Sequence, residues 1–388
     1  MRSTGTYREV STSGETVHAF VPHPLPPTEP RLELTPERQD RVRRAEHALA
    51  RLDLASEMVP SLDWFLYAFV RKEAVVSSQI EGTQATLVDL LAFEAEKDIT
   101  PSADVEEICN YIDALKYART ELAKANGLPL SIRLMNEAHR RLMNGTRGHG
   151  KLPGDVRCSQ NWIGGSRPGT ASFVPPPPDQ LPQLLSDLER YIHAEDDLPA
   201  IVRAGLIHVQ FETIHPYLDG NGRIGRLLIA LLLQEWGLLK APLLYLSMHF
   251  KRTRSEYYRR LGAVRTEGDW EGWTDYFLEG VTTVADEAII LARDVFALVS
   301  EDRARVLAAS GSTVSAVRLF EKLPQHPVLT VAGAIDLLDT SKPTAAKAID
   351  LLERAGVLKE TTGRHRDRSF VYHAYVGQLK IGTELIAS

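Results

Sequence analysis

Along most of this chain, apolar residues recur every three or four positions, the spacing that lines one face of a helix. The pattern predicts helices over residues 128–142, 181–193, 198–213, 223–236 and 254–266, with longer helical regions over 35–126 and 274–309. Start and stop signals agree with it. Thr35-Pro36-Glu37 opens the first long region with a proline where a missing N–H costs nothing. Gly82, Gly237 and Gly311 each follow a helical run, where a left-handed residue ends a helix. Two short apolar runs, Trp162-Ile163 and Ala171-Ser172-Phe173-Val174, flank a glycine-rich turn and read as a β-hairpin. The first 34 residues contain Phe20-Val21-Pro22-His23-Pro24-Leu25-Pro26-Pro27 and read as an extended arm laid over later helices. Within the core, strands are expected in the 162–174 hairpin alone.

Beyond residue 310 the character changes. Residues 331–338 and 344–355 read as two helices joined by Asp339-Thr340-Ser341-Lys342-Pro343, Gly356 ends the second, and 357–361 and 369–372 read as strands about a turn. This stretch resembles a winged helix-turn-helix module, in which the second helix enters the DNA major groove and the wing touches phosphate. The charges favour that use only weakly. Lys342, Lys347 and Arg354 face Asp350 and Glu353, whereas the turn carries Arg364, Arg366 and Arg368 against Asp367. About three to five cations in reach would support weak, salt-sensitive DNA binding, and protein contact is the competing use.

Composition bounds the chain more than it directs it. A length of 388 residues leaves room for two or three domains, and 45 basic against 51 acidic residues, net −6, give no general attraction to nucleic acid or anionic lipid. Cys109 and Cys158 make neither a disulfide framework nor a metal spacing and read as small packing residues in a reducing compartment. His139, His208 and His249 have no metal-spaced partners and read as packed or hydrogen-bonded residues. The start of the chain lacks the apolar core of a signal peptide, and the apolar run within 227–236 is too short to cross a bilayer. A cytoplasmic protein without a membrane partner is expected.

The candidate chemistry is concentrated in His215-Pro216-Tyr217-Leu218-Asp219-Gly220-Asn221-Gly222-Arg223-Ile224-Gly225-Arg226. The apolar run that follows places Gly220-Asn221-Gly222 at a helix N-terminus, where outward-pointing N–H groups and about half a positive charge favour an anion. Arg223 and Arg226 lie on the first turns, in reach of further phosphates. A polyphosphate ligand follows. Beside the cradle, Asp219 suits a Mg²⁺ ion that bridges phosphate oxygens. His215 is placed to take a proton from a hydroxyl that attacks the bound phosphate. One histidine or one Gly-x-Gly alone would favour loop packing and surface ion pairs. Seven such specific positions together arise by chance at roughly 10⁻⁶ or less on average composition.

These residues closely resemble the Fic family motif H-P-F-x-[D/E]-G-N-G-R-x-x-R, with Tyr217 in place of the usual Phe. A tyrosine can fill that anchoring position if its hydroxyl finds a partner. The resemblance implies a Fic-type helical core, transfer of AMP from ATP to a Ser, Thr or Tyr hydroxyl of a protein, including the chain itself, and Mg²⁺ held by Asp219. It implies nucleotide contacts from Asp219, Gly220, Asn221, Gly222, Arg223, Ile224, Gly225 and Arg226, with His215 as the catalytic base. Ser77-Ser78-Gln79-Ile80-Glu81-Gly82 matches the family's inhibitory signature [S/T]-x-x-x-E-[G/N]. Ser77, Glu81 and Gly82 are thus assigned to an inhibitory helix whose Glu81 would pair with Arg226 and displace the γ-phosphate. The 162–174 hairpin corresponds to the flap that positions the target, which adds Ile163 and Gly164 as contacts. Tyr257 and Tyr258 correspond to the adenine pocket, and homodimers are a family trait.

The resulting expectation is a mainly α fold with a Fic-type helical core and small hairpin flap, followed by a winged-helix domain. Residues 1–115 form the arm and inhibitory region, 116–290 the catalytic core, and 291–388 a linker helix and the winged helix. The alternatives are a nucleotide-sensing transcriptional regulator, transfer of UMP, phosphate or phosphocholine, and removal of AMP supported by Glu81.

Overall fold

A computed structural model of the chain describes residues 3–58, 61–96, 100–145, 150–363 and 368–385. In chain order the elements are β1 (Gly5–Thr12), β2 (Glu15–Pro22), α1 (Pro36–Met58), α2 (Leu62–Ile80), α3 (Leu87–Ala95), α4 (Ala103–Ala123), α5 (Ile132–Leu142), α6 (Leu181–His193) and α7 (Ala200–Ile214). They continue as α8 (Asn221–Glu235), α9 (Ser247–Arg252), α10 (Arg254–Glu267), α11 (Trp270–Ala308), α12 (Val314–Lys322), β3 (Val328–Thr330), α13 (Val331–Leu338), α14 (Lys342–Arg354), β4 (Leu358–Glu360), β5 (Ser369–Tyr372) and α15 (His373–Leu379). The expected helices appear, and the fold is mainly α with small antiparallel sheets.

The chain divides into two compact units, one of residues 1–51 with 110–285 and one of 52–109 with 286–388. In the first, α7 and α8 form the centre. Almost every residue of both is buried, including the polar Arg203, His208, Gln210, Arg223 and Arg226, because apolar residues spread round each helix and neighbouring elements cover its faces. Gly225 permits the approach: a Cβ there would stand 2.5 Å from Glu212 Oε1 and 3.3 Å from the His208 ring. The Trp273 indole N–H, from α11, donates to the Gly205 carbonyl at 2.8 Å and secures α7 from another side.

Two expectations for the strands need correction. The N-terminal arm is a hairpin, with β1 and β2 paired antiparallel from Gly5 opposite Pro22 to Thr12 opposite Glu15. Its turn is Ser13-Gly14, both at positive φ, the two-residue geometry that suits a twisted hairpin. The segment at 162–174 is the reverse case. It closes through a single bridge, Ile163 opposite Phe173, because Gly164 and Gly165 take left-handed conformations and a 3₁₀ turn fills residues 168–170. Trp162 and Ala171 pack on Val17, Ala19 and Val174, and the Phe20 N–H donates to the Val174 carbonyl at 2.9 Å. The flap therefore rests on the N-terminal hairpin. Cys158, read as a packing residue, is exposed.

The second unit holds α2, α3 and the C-terminal elements. α12, α13 and α14 pack together beside a three-stranded antiparallel sheet in the order β3-β5-β4. α13 and β5 occupy the expected residues, and α14 starts two residues earlier than expected, with Pro343 in its first turn. Arg364, Arg366 and Asp367 of the expected wing turn lie outside the described residues. Among the described residues, no helix is long and apolar enough to cross a membrane.

Candidate functional site

The motif joins α7 to α8 through a loop whose shape is set by side chains. His215 ends α7 in the left-handed region (φ 50°, ψ 62°), with its N–H donating to the Phe211 carbonyl at 2.9 Å. A non-glycine residue there costs of order 1 kcal/mol and needs outside support. Arg157 supplies it. This buried guanidinium donates to the carbonyls of His215 (2.9 Å), Ser159 (3.1 Å) and Pro176 (2.6 Å), and the Arg157 backbone N–H donates to the Pro216 carbonyl. Burial pushes the Arg157 pKa down to about 10, which leaves it charged at neutral pH.

The turn after Pro216 is closed by Asn221. Its Oδ1 accepts the Tyr217 N–H at 2.9 Å and its Nδ2 donates to the Tyr217 carbonyl at 2.8 Å, so both ends of its amide serve the loop. Asn161 adds a 3.2 Å bond to the same carbonyl. The Asn221 side chain, expected at a phosphate, is instead engaged at both ends within the loop. Tyr217 is 1 % exposed, and its hydroxyl finds the required partner in Asn136 Oδ1 at 2.8 Å.

Gly220 begins α8 at φ 77°, ψ 4° and has no side chain with which to cap it. At such a helix N-terminus an anion can serve as the cap. A Cβ at Gly220 would meet Met143 Sδ at 3.0 Å and Leu142 at 3.2 Å, so the end of α5 packs directly beneath the cradle. Arg223 and Arg226 are both 4 % exposed on the first turns of α8, and Arg223 lies 3.6 Å from Asp219. Asp219 is exposed, and one of its oxygens accepts the Gly220 N–H at 2.6 Å. Among the described residues no three His, Cys, Asp or Glu side chains gather as metal ligands. A Mg²⁺ ion that takes one carboxylate and completes its shell with phosphate and water still fits Asp219.

Two buried histidines bracket this loop. His139, on α5, stacks on Tyr217 with ring centroids 3.8 Å apart and planes 6° from parallel. Its Nδ1 accepts the Gly154 N–H at 2.9 Å, so in the neutral ring the proton sits on Nε2 and is donated to the Asp219 carbonyl at 3.0 Å. His208 on α7 bonds the Gly225 carbonyl through Nδ1 and accepts the Tyr257 hydroxyl at Nε2 (2.9 Å). Burial pushes His139 down to about 4 and His208 down to about 3.

The remaining expected contacts separate by exposure. Gly222 is half-buried on the first turn of α8, Ile163 is half-buried in the flap, and Gly164 is exposed. Ile224 is fully buried and Gly225 serves the α7–α8 approach, so both support the cradle from within. Tyr257 is also buried, stacked 4.4 Å from Phe250 with its hydroxyl on His208, so it lies behind any adenine site. Tyr258 is 43 % exposed, with the Arg254 guanidinium over its ring. In the second unit, Ser77 is buried on α2, Glu81 caps that helix and is exposed, and Gly82 follows at φ 104°. The Gln79 amide donates to the carbonyls of Ala85 (3.0 Å) and Thr383 (2.9 Å). A 1050 Å³ cavity lined by Pro24, Pro26, Arg31, Arg190, Tyr191 and Arg203 contains no motif residue.

Comparison with known proteins yields consistent matches. Residues 39–120 match the Fic/DOC family N-terminal region and residues 129–233 the Fic/DOC family. A probable protein adenylyltransferase of Aquifex aeolicus is 41% identical over 69 residues, 18% of this chain and 22% of that protein. The protein adenylyltransferase Fic of Drosophila erecta is 30% identical over 197 residues, 49% of this chain and 36% of that protein. This chain thus spans well under half the length of either relative. Among solved structures, a Fic family protein from Desulfovibrio desulfuricans superposes with a TM-score of 0.57 at 20% identity, covering 88% of this chain and 97% of that one. Fic-1 from C. elegans gives 0.51 at 22%, covering 66% and 73%.

Proposed function

Because this chain belongs to the Fic/DOC family through residues 39–120 and 129–233, we propose that it is a protein adenylyltransferase that moves AMP from ATP to a protein hydroxyl. The observation that carries this reading is the locked α7–α8 turn, which sets His215 immediately ahead of an uncapped helix N-terminus flanked by two buried arginines. The first-turn N–H groups of α8 take the phosphates, and Arg223 and Arg226 neutralise their charge. Asp219 would hold a Mg²⁺ ion, which supplies further neutralisation when bound. The target oxygen attacks the α-phosphorus while His215 takes its proton. The bond from that phosphorus to the bridging oxygen breaks, and pyrophosphate leaves. Tyr258, 43 % exposed, is the aromatic residue assigned to adenine, and the Ile163–Phe173 bridge offers an edge for an extended target segment.

In this reading α2 is the inhibitory element and Glu81 its inhibitory residue. Support for its regulation comes from Gln79, in the last turn of α2, which ties that turn to the carbonyl of Thr383. Thr383 follows α15, and α15 packs on β5, with Tyr375 stacked on Tyr372. A partner of the C-terminal elements would thus have a route to the inhibitory helix.

With α-labelled ATP, the wild-type chain should self-label weakly and Glu81→Gly strongly. His215→Ala should lose label by about 10²-fold or more, the usual contribution of a placed base. Equal labelling of wild type and Glu81→Gly would remove inhibition from the account.

A second reading takes the α12–α14 and β3-β5-β4 elements as a winged helix and rests on Lys342, Lys347 and Arg354, which are exposed on α14. It assigns DNA binding to this surface. A gel shift that fades steeply with salt supports it, and no shift at low salt removes it.

A further inference from the structure

We propose that His139 is a positioning residue of the cradle, fixing the Asp219–Gly220 peptide plane so that the Asp219 carboxylate and the α8 N-terminus face the same ligand. The inference rests on the adenylyl-transfer reading only for its rate prediction.

The geometry is local and over-determined. The Asp219 carbonyl accepts from His139 Nε2 at 3.0 Å, while the N–H at the other side of the same peptide, that of Gly220, donates to the Asp219 carboxylate at 2.6 Å. A peptide's C=O and N–H point in opposite directions. Holding the carbonyl down on α5 therefore turns the N–H up against the carboxylate. Gly220 lacks the Cβ that would otherwise resist rotation of this plane, so the restraint has to come from its neighbours. His139 is itself restrained. Its ring lies flat on Tyr217, its Nδ1 takes the Gly154 N–H, and Tyr217 is anchored to Asn136 one turn earlier on α5.

Without the imidazole donor, the plane could rotate and present the Asp219 carbonyl oxygen to the phosphates, where it repels them. The same rotation would release the carboxylate from its bond to Gly220. Misplacement on this scale costs about 10²-fold in rate, and loss of a group that orients a metal ligand costs about 10- to 100-fold in affinity. The histidine touches no substrate and acts through Asp219 alone.

Three variants separate its functions. His139→Phe keeps the stack on Tyr217 and removes both hydrogen bonds. His139→Gln can restore a donor where Nε2 stood, and His139→Asn an acceptor where Nδ1 stood. Each is made in the full-length Glu81→Gly chain and titrated with Mn²⁺ in the presence of ADP by calorimetry. Self-labelling is followed in parallel as kcat and KM for ATP. The expected result is Mn²⁺ binding at least tenfold weaker in His139→Phe and His139→Asn and within about threefold of the parent in His139→Gln. Labelling should show a fall in kcat larger than the rise in KM. Parental Mn²⁺ binding in His139→Phe, or equal losses in Gln and Asn, would overturn the proposal. Should His139→Phe not fold, the Gln and Asn pair decides it alone. A parent that binds Mn²⁺ and ADP but never labels would sink the adenylyl-transfer reading and leave the positioning result standing. A parent that binds neither would sink both.

Discussion

His139 and His208 each serve the fold as neutral rings, and that has a consequence for stability. Burial is the main cause of both depressions. At His139 the nearby Arg223 lowers the value further, while the bond to the Asp219 carbonyl partly offsets it. In the unfolded chain both return to about 6.5. Between that value and about 4, the unfolded state binds more protons than the folded state, so stability falls as pH falls through the window and is intact above it. Each ring contributes a slope approaching about 1.4 kcal/mol per pH unit there. Denaturant melts of wild type and His139→Phe between pH 7 and 4 isolate one ring. The variant should lose less stability on acidification, and identical pH profiles would contradict neutral burial of His139. At this scale the motif was legible because its residues are contiguous and chemically unusual. Arg157, Asn136 and His139 were not, since they reach the loop from segments far away in the chain and no local spacing signals it. Asn221 and Tyr257 turned inward for a related reason: each found an internal partner that the sequence does not disclose.

Among elements, helices were legible where an apolar stripe met a cap, as at α5, whose Ser131 side chain accepts the Leu134 N–H. The β1–β2 hairpin was hidden because Ala19 and Phe20 are both buried, which breaks strict alternation, and because the prolines that follow suggested an irregular arm. The flap erred the other way, since glycine signals a turn without saying whether the strands beside it extend. α2 carries a prediction of its own. If the Gln79 tie to Thr383 helps to hold the inhibitory turn, Gln79→Leu should raise self-labelling several-fold toward the Glu81→Gly level, and a chain ending at Lys380 should do the same. Unchanged labelling in both would free the inhibitory helix from the C-terminal elements.

For the whole molecule, the compact units do not follow a single cut along the chain. Their divisions fall at 51/52, 109/110 and 285/286, inside α1, α4 and α11. Continuous helical periodicity gives no sign of such a division, which depends on contacts between distant segments. It also places α2 in the same unit as the C-terminal elements. The central claim is that the α7–α8 turn transfers an adenylyl group. Intact-mass and peptide mass spectrometry of the Glu81→Gly chain after incubation with ATP and Mg²⁺ tests it most directly. The account predicts one adenylyl unit on a Ser, Thr or Tyr hydroxyl, absent when His215→Ala is added. An unmodified mass, with or without lysate proteins as targets, or the same adduct in the His215→Ala chain, would contradict it.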